Sequence, residues 1–69
     1  MLRIGFIGSG KMAEALIKAI LKAKISRKDN IIASDVSKER LDYIKKETGI
    51  RVNKSNMEVV VNSDVIILR

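Results

Sequence analysis

The chain alternates between short apolar runs and longer stretches in which apolar and charged residues recur at helical spacing. "LRIGFI" (residues 2–7) is an apolar run with β-branched and aromatic members, closed by glycines, and it predicts a first strand. From Lys11 to Ala23 the period lengthens: Met12, Leu16, Ile17, Ile20 and Leu21 fall on one face, and Lys11, Glu14, Lys18 and Lys22 on the other. Glu14 and Lys18 form a favourably ordered i,i+4 pair, worth about 0.2–0.5 kcal/mol. After the polar loop "KISRKDN" comes a second strand, "IIAS" (residues 31–34). Ser37 then reads as an N-cap, with Val36 and Leu41 at the spacing of a hydrophobic staple. The predicted helix runs from Lys38 to Thr48, with Lys45 and Lys46 near its negative end and Gly49 as a left-handed cap. "IRVN" predicts a third strand. "SNMEVVV" opens with a capping box, Ser55 and Glu58, and predicts a short third helix despite its valines; "DVIILR" predicts a fourth strand.

The resulting order is β-α-β-α-β-α-β, with strands read as apolar throughout. Such strands are buried on both faces, as in a parallel sheet. The fold class is therefore α/β, one half of a doubly wound, Rossmann-type sheet. Right-handed crossovers place the first two helices on one face and the third on the other. Strand four is left as a bare apolar edge, and the chain stops directly after it, so the reading is of a fragment of a larger protein.

Composition narrows the chemistry. With 69 residues the chain suffices for one small domain, and a domain of that size buries only about 60% of the surface its unfolded chain exposes. Cysteine and histidine are both absent, which removes disulfides, thiolate metal sites, cysteine nucleophiles and the commonest acid–base catalyst. No apolar run is long enough for a membrane helix and there is no signal-peptide layout, so a cytoplasmic protein is expected. The net charge of +6 comes from 14 Lys and Arg residues spread over helix faces and loops, without the interleaved aromatics that stack bases. A basic surface that attracts an anionic cofactor accounts for it better than nucleic acid does.

The stretch "GFIGSGKMAEAL" carries the chemistry, and it reads two ways. From Gly5 it approximates a Walker phosphate loop, which requires Ser or Thr after the lysine as a magnesium ligand. Met12 stands there, and a thioether does not serve a hard cation. From Gly8 it spells G-x-G-x-x-A. Gly8 makes the tight turn, Gly10 allows close approach by a pyrophosphate, and Ala13 permits close packing of helix on strand. The helix start then offers free N–H groups to the anion, favoured by the helix dipole by about 0.3–1 kcal/mol. Asp35, about 20 residues beyond the motif at the end of strand two, is placed to accept hydrogen bonds from the adenosine ribose. The motif taken alone is also met as an ordinary glycine turn; its context selects the dinucleotide reading.

"IGFIGSGKMAEALIKAI", followed by "IIASD" and "SDVIIL", resembles the N-terminal domain of the pyrroline-5-carboxylate reductase family over the whole chain. The resemblance implies that Ile7, Gly8, Ser9, Gly10, Lys11 and Met12 wrap the pyrophosphate of NADPH or NADH. It implies that Ser34, Asp35 and Ser37 meet the adenosine ribose or its 2′-phosphate, and that Asn56 contacts the adenosine end. Asn56 fits equally as a residue of the capping box. Lys11 replaces the family's usual asparagine or glutamine and reads either as added charge near the pyrophosphate or as a solvated residue. The implied reaction is hydride transfer to the imine carbon of 1-pyrroline-5-carboxylate, giving L-proline. The resemblance also implies a C-terminal helical domain, outside these residues, that holds the small-molecule substrate and makes a homo-oligomer; on that reading none of the residues here has a catalytic role, and the chain alone is expected to be inactive.

Asp35 would face a 2′-phosphate, and like charges about 5 Å apart cost about 1–3 kcal/mol each at surface-like dielectric. That is roughly ten- to a hundredfold against NADPH. Lys38 and Arg40 stand a turn later, either to cancel that charge or as part of a solvated face. Other readings are a hydroxyacid dehydrogenase, a deazaflavin-dependent NADP reductase, or a free-standing nucleotide-sensing module.

Overall fold

In the computed structural model, which describes residues 2–68, four strands alternate with three helices. They are β1 (Ile4–Ile7), α1 (Lys11–Lys22), β2 (Ile31–Ser34), α2 (Lys38–Thr48), β3 (Arg51–Asn53), α3 (Asn56–Val61) and β4 (Val65–Leu68). All strand pairs are parallel, in the order β3-β2-β1-β4, so the chain crosses from one edge back over β1 to build the other. This is the Rossmann-like α/β architecture that the apolar pattern predicts. Arg69, the last residue of the predicted fourth strand, lies outside the described residues.

The two central strands carry the burial. Ile4 pairs with Ile31 and Phe6 with Ala33, and these four side chains share one face of the sheet. Against them pack Ala13, Ile17 and Ile20 of α1 and Ile44 of α2, with Ile50 completing the cluster. Each fully buried aliphatic or aromatic side chain here contributes about 1.5–3 kcal/mol relative to exposure. On the opposite face lies α3, whose Val59 is fully buried. Gly5 is required there: a Cβ on it would stand 2.6 Å from Val59 Cγ1 and closer still to Ser63 Oγ. The first two helices thus cover one face and the third the other, as the crossovers require.

Local signals hold α2 firmly. Ser37 Oγ accepts from the Arg40 N–H at 3.2 Å, and Gly49 takes φ 75° with its N–H on the Lys45 carbonyl. The expected staple is absent, however. Val36 is 98% exposed while Leu41 is buried, because the backbone turns at Asp35 to bond its carboxylate and carries the valine outward. The capping box of α3 is half formed: Ser55 Oγ accepts from the Glu58 N–H, but the Ser55 N–H goes to Asn53 Oδ1 and the Glu58 carboxylate turns to Asn62. In α1, Met12 and Leu16 belong to the predicted apolar face yet are exposed, since the helix meets the sheet along Ala13, Ile17 and Ile20. The outer strands are not buried on both faces: β3 exposes Arg51 and Asn53, and β4 exposes Val65, Ile66 and Leu68. The loop between α1 and β2 holds a one-turn 3-10 helix (Lys28–Asn30) that the pattern does not show, and buried Ser26 ties it to the start of the sheet through the Leu2 carbonyl at 2.7 Å.

Candidate functional site

The ends of β1 and β2 open side by side. Gly8 follows β1 directly, takes φ 101°, and donates its N–H to the Ser34 carbonyl at 2.8 Å. An L side chain at that φ is strained, so the turn needs glycine. Phe6 and Ile7 remain in the strand, which is the partition that the dinucleotide reading of the motif demands. Gly10 has an ordinary φ of −70°, and a Cβ built on it meets nothing within 4 Å. The fold itself therefore places no steric demand for glycine at position 10. The space beside it is open to something that is not protein.

Gly10 is also the N-cap of α1, and no side chain caps that helix. The N–H groups of Gly10 and Lys11 have no partner among the described residues. A helix start with free N–H groups and a bare backbone beside it is suited to an anion. Ser9, between the two glycines, is fully buried and belongs to the turn's own framework. Its N–H and Oγ both donate to Asp35 Oδ2, at 2.8 and 2.9 Å.

Asp35 is thereby the link between the glycine turn and α2. Its other oxygen accepts from the Ser37 N–H at 2.9 Å. The Ser37 N–H is the main influence holding the carboxyl below its usual range; partial burial opposes it, and the two Ser9 donors assist. The group is an anion at neutral pH, already committed to three donors. Next to it, buried Ser34 donates to Asn56 Oδ1 at 2.6 Å, so the serine at the end of β2 orients the asparagine at the start of α3.

Two contiguous hollows run along this end of the sheet. One, of about 330 Å³, is lined by Gly8, Ser9, Gly10, Lys11, Met12, Ala13 and Asp35. The other, of about 270 Å³, is lined by Ile7, Gly8, Asp35, Val36 and Asn56. Between them they take in Ile7, Gly8, Ser9, Gly10, Lys11, Met12, Asp35 and Asn56 of the residues singled out from the sequence, while Ser34 lies buried beneath Asn56. Ser37 lines neither hollow and serves as the α2 cap. Lys38 is exposed on the helix surface.

Arg40 does not reach out toward Asp35 as a free cation. Its Nε donates to the Ser9 carbonyl and its Nη2 to Glu14 Oε1 at 2.7 Å, while the guanidinium carbon lies 4.8 Å from the centre of the Tyr43 ring. Glu14 is the hub of this group. It accepts from Lys18 at 2.9 Å, as the i,i+4 spacing predicts, and also from Arg40 and from the Tyr43 hydroxyl at 3.1 Å. Lys18 foremost, then Arg40, lower its carboxyl from 4.5 to about 2. Sequence reasoning missed this cluster. The Arg40–Tyr43 i,i+3 spacing on α2 was a visible signal, but its joining to Glu14 needs α1 and α2 side by side.

Known proteins are similar to this chain along nearly its whole length. Pyrroline-5-carboxylate reductase of Methanosarcina acetivorans is 46% identical over 66 residues, covering 96% of this chain and 24% of the relative. Pyrroline-5-carboxylate reductase 2 of Bacillus subtilis is 38% identical over 69 residues, covering 99% and 25%. The chain spans about a quarter of the length of these curated relatives. A pyrroline-5-carboxylate reductase structure from Coxiella burnetii superposes with a TM-score of 0.90 at 26% identity, over 99% of this chain and 25% of that one. The WlbA dehydrogenase of Chromobacterium violaceum shares the fold at a TM-score of 0.76 and 21% identity, over 97% of this chain and 20% of that one. The model of one family matches residues 3–69, and the chain belongs to that family, described as NADP oxidoreductase coenzyme F420-dependent.

Proposed function

We propose that this chain is the cofactor-binding unit of an NAD(P)H-dependent pyrroline-5-carboxylate reductase. The observation that carries the binding role is the pairing of Gly8, strained for any other residue, with Gly10, which no protein atom requires to be glycine. Such a turn, leading into a helix without a side-chain cap, fits a pyrophosphate. When bound, NADPH or NADH supplies a hydride, which adds to the imine carbon of 1-pyrroline-5-carboxylate and, with a proton on nitrogen, gives L-proline.

The residues of this chain bind and orient. The Gly10 and Lys11 N–H groups receive the pyrophosphate, with Ile7, Gly8, Ser9 and Met12 forming the wall of the turn. Asp35 stands at the adenosine ribose, and Asn56, held by the hydroxyl of buried Ser34, stands at the adenosine end. Substrate binding and oligomerisation belong to further parts of the protein; the exposed apolar residues of β4 support additional structure pairing at that edge. Similarity of the whole chain to several reductases of the same substrate favours this substrate over a hydroxy acid.

Calorimetric titration with NADPH, NADH and magnesium-ATP in parallel tests the binding role. Saturable heat with either dinucleotide and none with ATP is expected. Binding of ATP in preference to both dinucleotides would overturn it. Because Asp35 is an anion and Arg40 is held by Glu14, NADH is expected to bind at least as tightly as NADPH.

A further inference from the structure

The cluster of Arg40, Glu14 and Tyr43 lies outside the hollows yet touches the turn that lines them. Ser9 connects the two. Its N–H is spent on Asp35, and its carbonyl is held by Arg40 Nε from the α2 side. Among the described residues every peptide bond is trans. In a trans peptide the carbonyl of one residue and the N–H of the next point in opposite directions across a rigid plane. Drawing the Ser9 carbonyl toward α2 therefore turns the Gly10 N–H away from α2. Gly10 lines the 330 Å³ hollow and Arg40 does not.

Arg40 is well placed to hold that plane still. It is half-buried, its second donor is on Glu14 at 2.7 Å, its ring contact with Tyr43 restricts it further, and its own N–H is bound by the Ser37 cap. Glu14 is fixed in turn by Lys18 and the Tyr43 hydroxyl. A planar guanidinium presents donors in a rigid fork, so two acceptors fixed on different elements lock its orientation. Gly10, without a side chain, has no such hold of its own.

We infer that Arg40 is a positioning residue for the cofactor pyrophosphate: gripped by Glu14 and Tyr43, it fixes the Ser9–Gly10 peptide so that the Gly10 N–H faces the anion. The inference rests on the dinucleotide reading above. It assigns a role in binding to residues of α1 and α2 that line neither hollow.

The test measures dissociation constants of NADH, NADPH and adenosine for the full-length protein and its R40M and E14Q variants. Adenosine carries no pyrophosphate and reports the ribose end alone. In R40M the dinucleotides are expected to bind about tenfold more weakly, the effect of losing one charge-assisted hydrogen bond's orienting influence. Adenosine binding is expected to stay within about twofold. In E14Q the arginine loses its grip but stays in place, and a smaller loss with the same selectivity is expected. A loss that falls equally on adenosine would mean general loosening of the domain and would overturn the inference, as would unchanged dinucleotide binding in a folded R40M. Should R40M fail to fold, E14Q decides by the same ratio. Failure of the wild-type protein to bind either dinucleotide would instead overturn the cofactor reading on which the inference stands.

Discussion

The two faces of this sheet are built from one chain to different standards. On one face, helices of 12 and 11 residues lay Ile17, Ile20 and Ile44 over Ile4, Phe6, Ile31 and Ala33, and the layer is essentially dry. On the other, a helix of six residues covers little beyond Gly5 and the centre of the sheet, with Val59 as its buried residue. Val60, Ile66 and Leu68 remain exposed there. A helix covers sheet in proportion to its length, so stability is concentrated on the first face. The glycine turn sits at the end of the strand between them and is anchored on the well-packed side, through Asp35 and Arg40 to α2.

That contrast can be broken at its strong end first. Ile17→Ala opens a cavity in the dry layer and is expected to cost about 2–5 kcal/mol, enough to unfold much of a small domain; urea denaturation followed by circular dichroism measures it. Gly5→Ala tests the weaker face at its tightest point. The added methyl collides with Val59 and Ser63, and a cost of about 1–3 kcal/mol is expected, removed in part by combining it with Ser63→Gly.

A smaller effect sharpens the role of the helix-to-helix cluster. The Glu14 carboxyl is lowered from 4.5 to about 2 in the fold. Its unfolded value is the higher one, so its contribution is complete above about pH 4.5 and is lost as pH falls toward 2. The stability difference between wild type and E14Q should therefore shrink on acidification through that window; a difference that stayed constant would show that the charge of Glu14 is not what holds the cluster. The least effect is expected at the exposed apolar positions. Val36→Ser and Leu68→Ser should each change stability by no more than about 0.5 kcal/mol, and Leu68→Ser should reduce any self-association seen by sedimentation.

Much of the site was legible because its signals are local. Gly8 and Gly10 two residues apart after an apolar run, Ser37 as a cap and Gly49 as a left-handed stop each depend on a few neighbouring dihedrals, and each stands where its spacing placed it. The signals that failed each depended on something farther away. Val36 has the spacing of a staple, but the Asp35 carboxylate captures the Ser37 N–H and directs the valine into solvent. Glu58 has the spacing of a capping box, but Asn53 reaches the Ser55 N–H first. Met12 and Leu16 have the spacing of a core face, but the crossing of α1 over the sheet selects Ala13, Ile17 and Ile20.

The sequence by itself determined the order of elements, the parallel α/β class and the residues of the glycine turn, because hydrophobic period and backbone preference act over a few residues. Only the tertiary structure decided why Gly5 must be glycine, and that Arg40 is tied to Glu14 rather than free to meet a phosphate. Those facts follow from contacts between residues up to 58 positions apart, such as Gly5 beneath Ser63, and no local period encodes them.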